Sequence, residues 1–171
     1  FLHIWFMVKN KKTFYVTTLQ NIEWATTCRE LLKEEICPHC GLQYFDGEQY
    51  HESSIEIGKK LRRLYKGMDC FLLDITNENP NVCFEWGMAL ALNKPCFLIL
   101  NSAVEGALKK AKESRIFPLQ YTAFSIPENT ITDKTRKECR STLEQALTAF
   151  SQKVRSRGGK PANPLDSHGS L

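Results

Sequence analysis

The chain reads as an open parallel α/β sheet with helices on both faces, and three observations carry that reading. Short β-rich or apolar runs alternate with longer segments of helical period along most of the chain, as in repeated strand–helix–strand units. Phe71-Leu72-Leu73 and Cys96 to Leu100 are apolar at every position, as strands covered on both faces must be. Between them, Asp74-Ile75-Thr76 opens a polar turn, a short helical segment follows, and Lys94-Pro95 leads into the second strand. With about five parallel strands in the order 2-1-3-4-5, right-handed crossovers put the reversal of strand order between the strands ending at Thr17 and Asp74. Ligands bind such sheets at the carboxyl ends of the strands, beside that reversal.

Each element has its own signal. Thr13 to Thr17 is β-rich and forms the first strand. Asn21 caps a helix from about Ile22 to Glu35, with Ile22, Ala25, Cys28, Leu31 and Leu32 on one face, and Cys37-Pro38-His39-Cys40-Gly41 breaks it. Leu42 to Phe45 is a weak second strand, ended by Asp46-Gly47. A helix from about Glu52 to Tyr65 carries Ile55, Gly58, Leu61 and Tyr65 as its inner stripe. The third strand is Phe71 to Leu73, the next helix runs from Asn81 to about Asn93, and the fourth strand is Cys96 to Leu100. Glu105 to Lys112 reads as helix, Leu119 to Phe124 as a fifth, weaker strand, and Thr132 to Val154 as a long closing helix. The expected organisation is a domain over 13–154. Residues 1–12 read as an extension or the remnant of an upstream segment, and 155–171 as a flexible tail rich in Gly, Pro and Ser.

At 171 residues the chain can bury the core of one domain without staples, and 42% hydrophobic with 25% charged residues are ordinary globular values. The net charge of +4 is concentrated at the ends: residues 1–12 and 151–171 carry +3 each, which leaves −2 on the middle. No basic surface for nucleic acid follows from that distribution. Seven cysteines, odd in number and scattered through core elements, fit free thiols in a reducing, cytoplasmic setting. The apolar opening Phe1 to Val8 is too short to span a bilayer, and no membrane contact by this domain is expected.

Two carboxylates stand where chemistry is expected. Asp74 ends its strand at the crevice, where it either caps its own turn or contacts a ligand, and position alone weighs these equally. Glu85 lies one turn into a short helix whose neighbours Val82, Phe84, Trp86, Met88, Ala89 and Leu90 are apolar. A helix so apolar is expected to be buried, and a lone Glu within it needs a reason. One reason is a first-turn acid that stabilises the helix dipole. The other is an ionised carboxylate facing a sugar, able to attack an anomeric carbon or stabilise an oxocarbenium-like centre. Gly87 allows close approach of a helix or ligand. Cys37-x-x-Cys40 is half of a zinc knuckle, but a structural site needs four ligands and no second pair of that kind exists. Cys28 and His51 would have to complete it at irregular spacing, so no metal and no cofactor are expected. No dinucleotide fingerprint, phosphate loop or nucleophile elbow is present.

The run from Asp74 to Pro95 resembles the pattern D-[IL]-T-x-x-N-P-N-V-x-[YF]-E-L-G-x-A-x-A-x-x-K-P of the nucleoside 2-deoxyribosyltransferase-like group and the TIR-like nucleotide-binding proteins related to it. The resemblance is strong over residues 69–100 and looser over 13–125. It implies a single flavodoxin-like, Rossmann-like three-layer domain and cleavage of an N-glycosidic bond. In the transferases the Glu of the E-x-G-x-A stretch takes up the deoxyribosyl group. In catalytic TIR domains a comparable Glu supports cleavage of the nicotinamide–ribose bond of NAD. Both map onto Glu85, with Asp74, Thr17, Thr76, Asn81, Gly87 and Met88 as expected substrate contacts. The leading expectation is therefore a glycohydrolase acting on NAD or a related nucleotide, as an effector domain of a larger immune or stress-signalling protein. Its partners would be other domains of the parent chain and further copies of itself. The alternatives are a non-catalytic nucleotide-binding or self-association module, and a nucleoside deoxyribosyltransferase. Three features depart from the pattern: Trp86 stands where Leu is usual, the CPHC stretch is additional, and Thr18-Leu19-Gln20-Asn21 lacks the usual Pro-Phe-type opening.

Overall fold

A computed structural model describes residues 11–16, 22–46, 54–77, 79–114, 120–128 and 130–156. The chain is a mixed α/β protein built on a parallel sheet. Its strands are β1 (Lys11–Val16), β2 (Leu42–Asp46), β3 (Cys70–Asp74), β4 (Cys96–Asn101) and β5 (Thr122–Phe124). They pair side by side in the order β2-β1-β3-β4-β5, all parallel, with Thr13 opposite Tyr44 and Cys70, and Phe71 opposite Cys96. The helices are α1 (Glu23–Glu30), α2 (Cys37–His39), α3 (Ser54–Gly67), α4 (Pro80–Ala91), α5 (Ala107–Glu113) and α6 (Asp133–Ser156). Of the tail expected over 155–171, Arg155 and Ser156 belong instead to α6, where the clamp on Cys40 and Gly41 extends the helix. Thr17 and the segments 1–10 and 157–171 lie outside the described residues.

Strand alternation divides the core into two layers. Cys70, Leu72 and Ile99 face one side and pack with α1, the helical segment Leu31–Ile36 that continues it, and α6, through Trp24, Leu32, Ile36, Leu143 and Leu147. Phe71, Leu73, Leu98 and Leu100 face the other side and meet Tyr65 of α3, Val82, Trp86 and Ala89 of α4, and Ala107 and Ala111 of α5. The period-2 geometry of the strands makes this division unavoidable once both faces are covered.

The Cys-Pro-His-Cys stretch does not break the first helix as expected. The chain stays helical from Glu23 to His39, passing through a π-helical segment, Leu31–Ile36. A proline inside a regular helix removes one hydrogen bond and presses its ring on the preceding turn. Here the turn before Pro38 is widened, with the Cys37 N–H reaching back to Leu32 O, and the helix absorbs the proline. The end comes at Gly41, whose φ of 67° a side chain disfavours.

That end is tied to α6. Ser151 Oγ donates to Cys40 O at 2.8 Å, and the Arg155 guanidinium donates to Cys40 O and Gly41 O at 3.2 Å each. Ion pairs continue the seam, with Arg140 on Glu35 at 2.8 Å, Arg136 on Glu35 at 3.3 Å and His39 beside Glu144 at 3.1 Å. These pairs are solvent-accessible and contribute little singly. The carbonyl clamp matters more, because it satisfies groups that the helix end leaves open.

Candidate functional site

Helix α4 begins at Pro80, one residue before the start at Asn81 that the sequence suggests. Asn79, in extended conformation, accepts the Asn81 N–H on Oδ1 at 2.9 Å and is the cap, with Pro80 first in the helix. Asn81, two residues on, has the same capping side chain but lies inside the helix. Proline pushes its predecessor into the extended region that a cap requires, so Asn79 takes the role. Glu85 is consequently the sixth helical residue and no acid lies in the first turn. The dipole stabilisation expected for Glu85 acts within the first turn and does not reach it.

What Glu85 meets instead is desolvation. Its Oε2 is buried and makes no hydrogen bond among the described residues. Burial pushes the carboxyl up to about 7, with hydrogen bonding by the Tyr65 hydroxyl pulling the other way. Tyr65 is itself raised, first by its own burial and then by the charge of Glu85 and hydrogen bonding to it. The two groups share one polar spot in an apolar layer. Tyr65 is fully buried near the end of α3, its ring edge-on to Phe71 at 5.4 Å. The end of α3 is fixed in turn by Lys94, whose Nζ donates to Met68 O at 2.6 Å and Lys66 O at 3.1 Å. Lys94 thus anchors the backbone just past Tyr65.

Asp74 and Thr76 are brought together directly. Asp74 Oδ1 accepts the Thr76 N–H at 3.0 Å and the Thr76 hydroxyl, and that hydroxyl accepts the Asn101 N–H at 2.9 Å. Asn101 extends the cluster to Ile126 through both ends of its amide. Asp74, Thr76 and Asn101 are all buried, so this cluster locks the carboxyl ends of β3 and β4 together and to the residues just past β5. Through Oδ1, Asp74 caps its own turn, one of the two roles its position at the strand end allows.

The remaining expected contacts spread around α4. At about 100° per residue, Met88 lies roughly 60° from Glu85 on the helix and Gly87 roughly 160° from it. Met88 is partly buried on the Glu85 side, whereas Asn81 and Gly87 are exposed. A Cβ added at Gly87 would meet nothing within 4 Å, so no close approach inside the chain explains this glycine. Trp86 fills the inner face of the helix beside Val82 and Ala89. The expectation of a wholly buried helix fails at Phe84, which is 59% exposed.

Cys37 and Cys40 are buried thiols. Desolvation, reinforced by Cys40 and Cys70, pushes Cys37 up to about 12. Cys40 Sγ lies 3.4 Å from Thr148 Oγ1 on α6. Among the described residues no group of three His, Cys, Asp or Glu side chains is arranged to hold a metal ion, and all seven cysteines are free. Among the same residues no helix is long and apolar enough to cross a membrane. Tyr65 and Asn101 escaped the sequence reading. Tyr65 looked like one more apolar-stripe residue, and its place just before a buried strand was the only signal. No protein-family model matches the chain, and no curated protein matches it.

Proposed function

We propose that this chain is a flavodoxin-like, cytoplasmic enzyme that cleaves the N-glycosidic bond of NAD or a related nucleotide, with Glu85 as the catalytic carboxylate. One observation carries the reading: a carboxylate with a buried, unbonded oxygen beside a tyrosine hydroxyl, inside the segment that resembles the glycosidic-transfer pattern. Keeping such a group costs stability, and functional sites are where such costs concentrate. With its pKa near 7, Glu85 is largely ionised slightly above neutrality. The ionised carboxylate stabilises positive charge at the anomeric carbon as nicotinamide leaves with the bonding electron pair. Water adds to that carbon and releases a proton, giving ADP-ribose. Tyr65 acts as a positioning residue that holds the carboxylate and favours its charged form. The domain would serve as an effector gated by other parts of a larger immune or stress-signalling protein or by self-association.

The test is release of free base from NAD, nucleosides and nucleotides, followed by chromatography at low and high protein concentration. Nicotinamide release that disappears in Glu85→Gln supports the reading, and turnover of deoxynucleosides alone would redirect it to deoxyribosyl transfer. No turnover of any substrate at any concentration would overturn it. A non-catalytic nucleotide-binding module is the second reading. It is favoured by Asp74, whose Oδ1 serves the turn at Thr76.

A further inference from the structure

Strand order places α3, α4 and α5 side by side on one face of the sheet, with α4 between the other two. The outer side of α4 is apolar and open. Phe84 is 59% exposed and Leu90 37%, and Gly87 and Ala91 are exposed beside them. Gly87 leaves a gap beside Phe84 that no described residue fills. An exposed glycine inside a helix costs about 1 kcal/mol relative to alanine, so the gap has a cost and no internal purpose.

The flanks of this crest are basic. Arg62, Arg63 and Lys66 are exposed on α3, where residues 61–67 contain no acid. Lys109, Lys110 and Lys112 are exposed on α5, against one acid, Glu113, at its end. The only acidic or basic side chain on α4 is Glu85, which is turned toward Tyr65. A chain whose middle sums to −2 has therefore collected cations along both sides of one apolar ridge.

We infer that this face is a docking surface for an acidic amphipathic helix of a protein partner, laid along α4 with its apolar side on Phe84, Gly87 and Leu90. Packed helices lie about 8–10 Å apart, so the two basic rows stand roughly 16–20 Å apart across α4. One helix of about 10–12 Å diameter fits between them. Acidic residues on both flanks of that helix would face a basic row each, while its apolar stripe covers the crest. A second copy docked through the same face would oppose like-charged rows, which electrostatics disfavours. A bilayer is a poorer match, because the apolar arc is narrow and α4 itself contributes no basic residue to hold headgroups.

The probe is a fluorescein-labelled 20-residue helix with Leu at i, i+3, i+4 and i+7 and Glu on both flanks. It is titrated with the full chain by anisotropy, beside versions carrying Gln or Lys in place of Glu. The expected result is binding of the Glu helix at least tenfold tighter than the Gln helix, none of the Lys helix, and weakening as salt rises. Phe84→Ala and the pair Lys109→Glu with Lys110→Glu should each weaken it at least fivefold while leaving the melting temperature unchanged, since these side chains are exposed. Equal binding of the three helices, or indifference to both variants, would overturn the inference. So would self-association of the chain, or binding to phosphatidylserine vesicles, that is lost in Phe84→Ala without any Glu-helix binding. None of these measurements depends on glycosidic activity.

Discussion

The Cys37–Gly41 turn and helix α4 both display residues that chemistry uses, and they end differently. In the turn, burial removes the thiols from reactivity, Cys40 is engaged by Thr148, and the backbone carbonyls are clamped by Ser151 and Arg155. In α4, Glu85 keeps a buried oxygen without a hydrogen bond, and among the described residues the outer crest stays apolar and uncovered. Reactive residue types are common, whereas a buried carboxylate oxygen without a hydrogen bond is rare in a folded chain. That difference separates a structural joint from a candidate site.

The largest expected effect breaks the comparison on the α4 side. Glu85→Gln should lower base release from the best substrate by at least about 100-fold in kcat, the loss typical of a removed charge-stabilising group. It should not lower the melting temperature at pH 8, because it removes a buried charge. A destabilised variant would mean that Glu85 belongs with the structural joint. On the other side, Gly41→Ala should cost about 2–3 kcal/mol in denaturant titration, from the left-handed φ and from displacing Arg155, whose guanidinium occupies the space a Cβ would need.

The pH dependence sharpens the contrast. The Glu85 carboxyl is raised from 4.5 to about 7 in the folded chain, so between these values the folded state holds more proton than the unfolded one. Stability from this group is full below about pH 4.5 and falls as pH rises through 7, by on the order of 3 kcal/mol. The melting temperature of Glu85→Gln relative to the native chain should climb across that window. Activity that needs the ionised carboxylate should rise over the same range. Tyr65→Phe should act more gently. Without the hydroxyl, the Glu85 carboxyl rises further, and the activity profile moves to higher pH with a stability change within about 1 kcal/mol. The smallest effect is a null one: a metal chelator should leave the melting temperature unchanged, since Cys37 and Cys40 are held by packing. A clear drop would restore the zinc reading of that turn.

Much of the scaffold was legible because its signals are local. The apolar runs at Phe71 and Cys96 had to be buried strands, and Asp74 had to sit at a strand end. The misjudged points were those where local signals compete. Pro38 signals a break in isolation, yet one widened turn accommodates it because α6 holds the far end. Asn79 and Asn81 both suit a cap, and Pro80 decides between them. The apolar composition of α4 suggested burial on every side, but composition cannot count the neighbours that a helix receives. Three sides of α4 find the sheet, α3 and α5, and the fourth finds none among the described residues.

The sequence by itself determined the alternation of strands and helices, the free thiols, and the position of two carboxylates along the chain, because each follows from periodicity or residue chemistry over a few positions. Only the tertiary structure decided which carboxylate is satisfied. Asp74 finds its donors two residues away, in its own turn. The condition of Glu85 depends on the burial around it and on Tyr65, twenty positions earlier on another helix. Desolvation is set by everything that surrounds a group in space, and no window of sequence contains it.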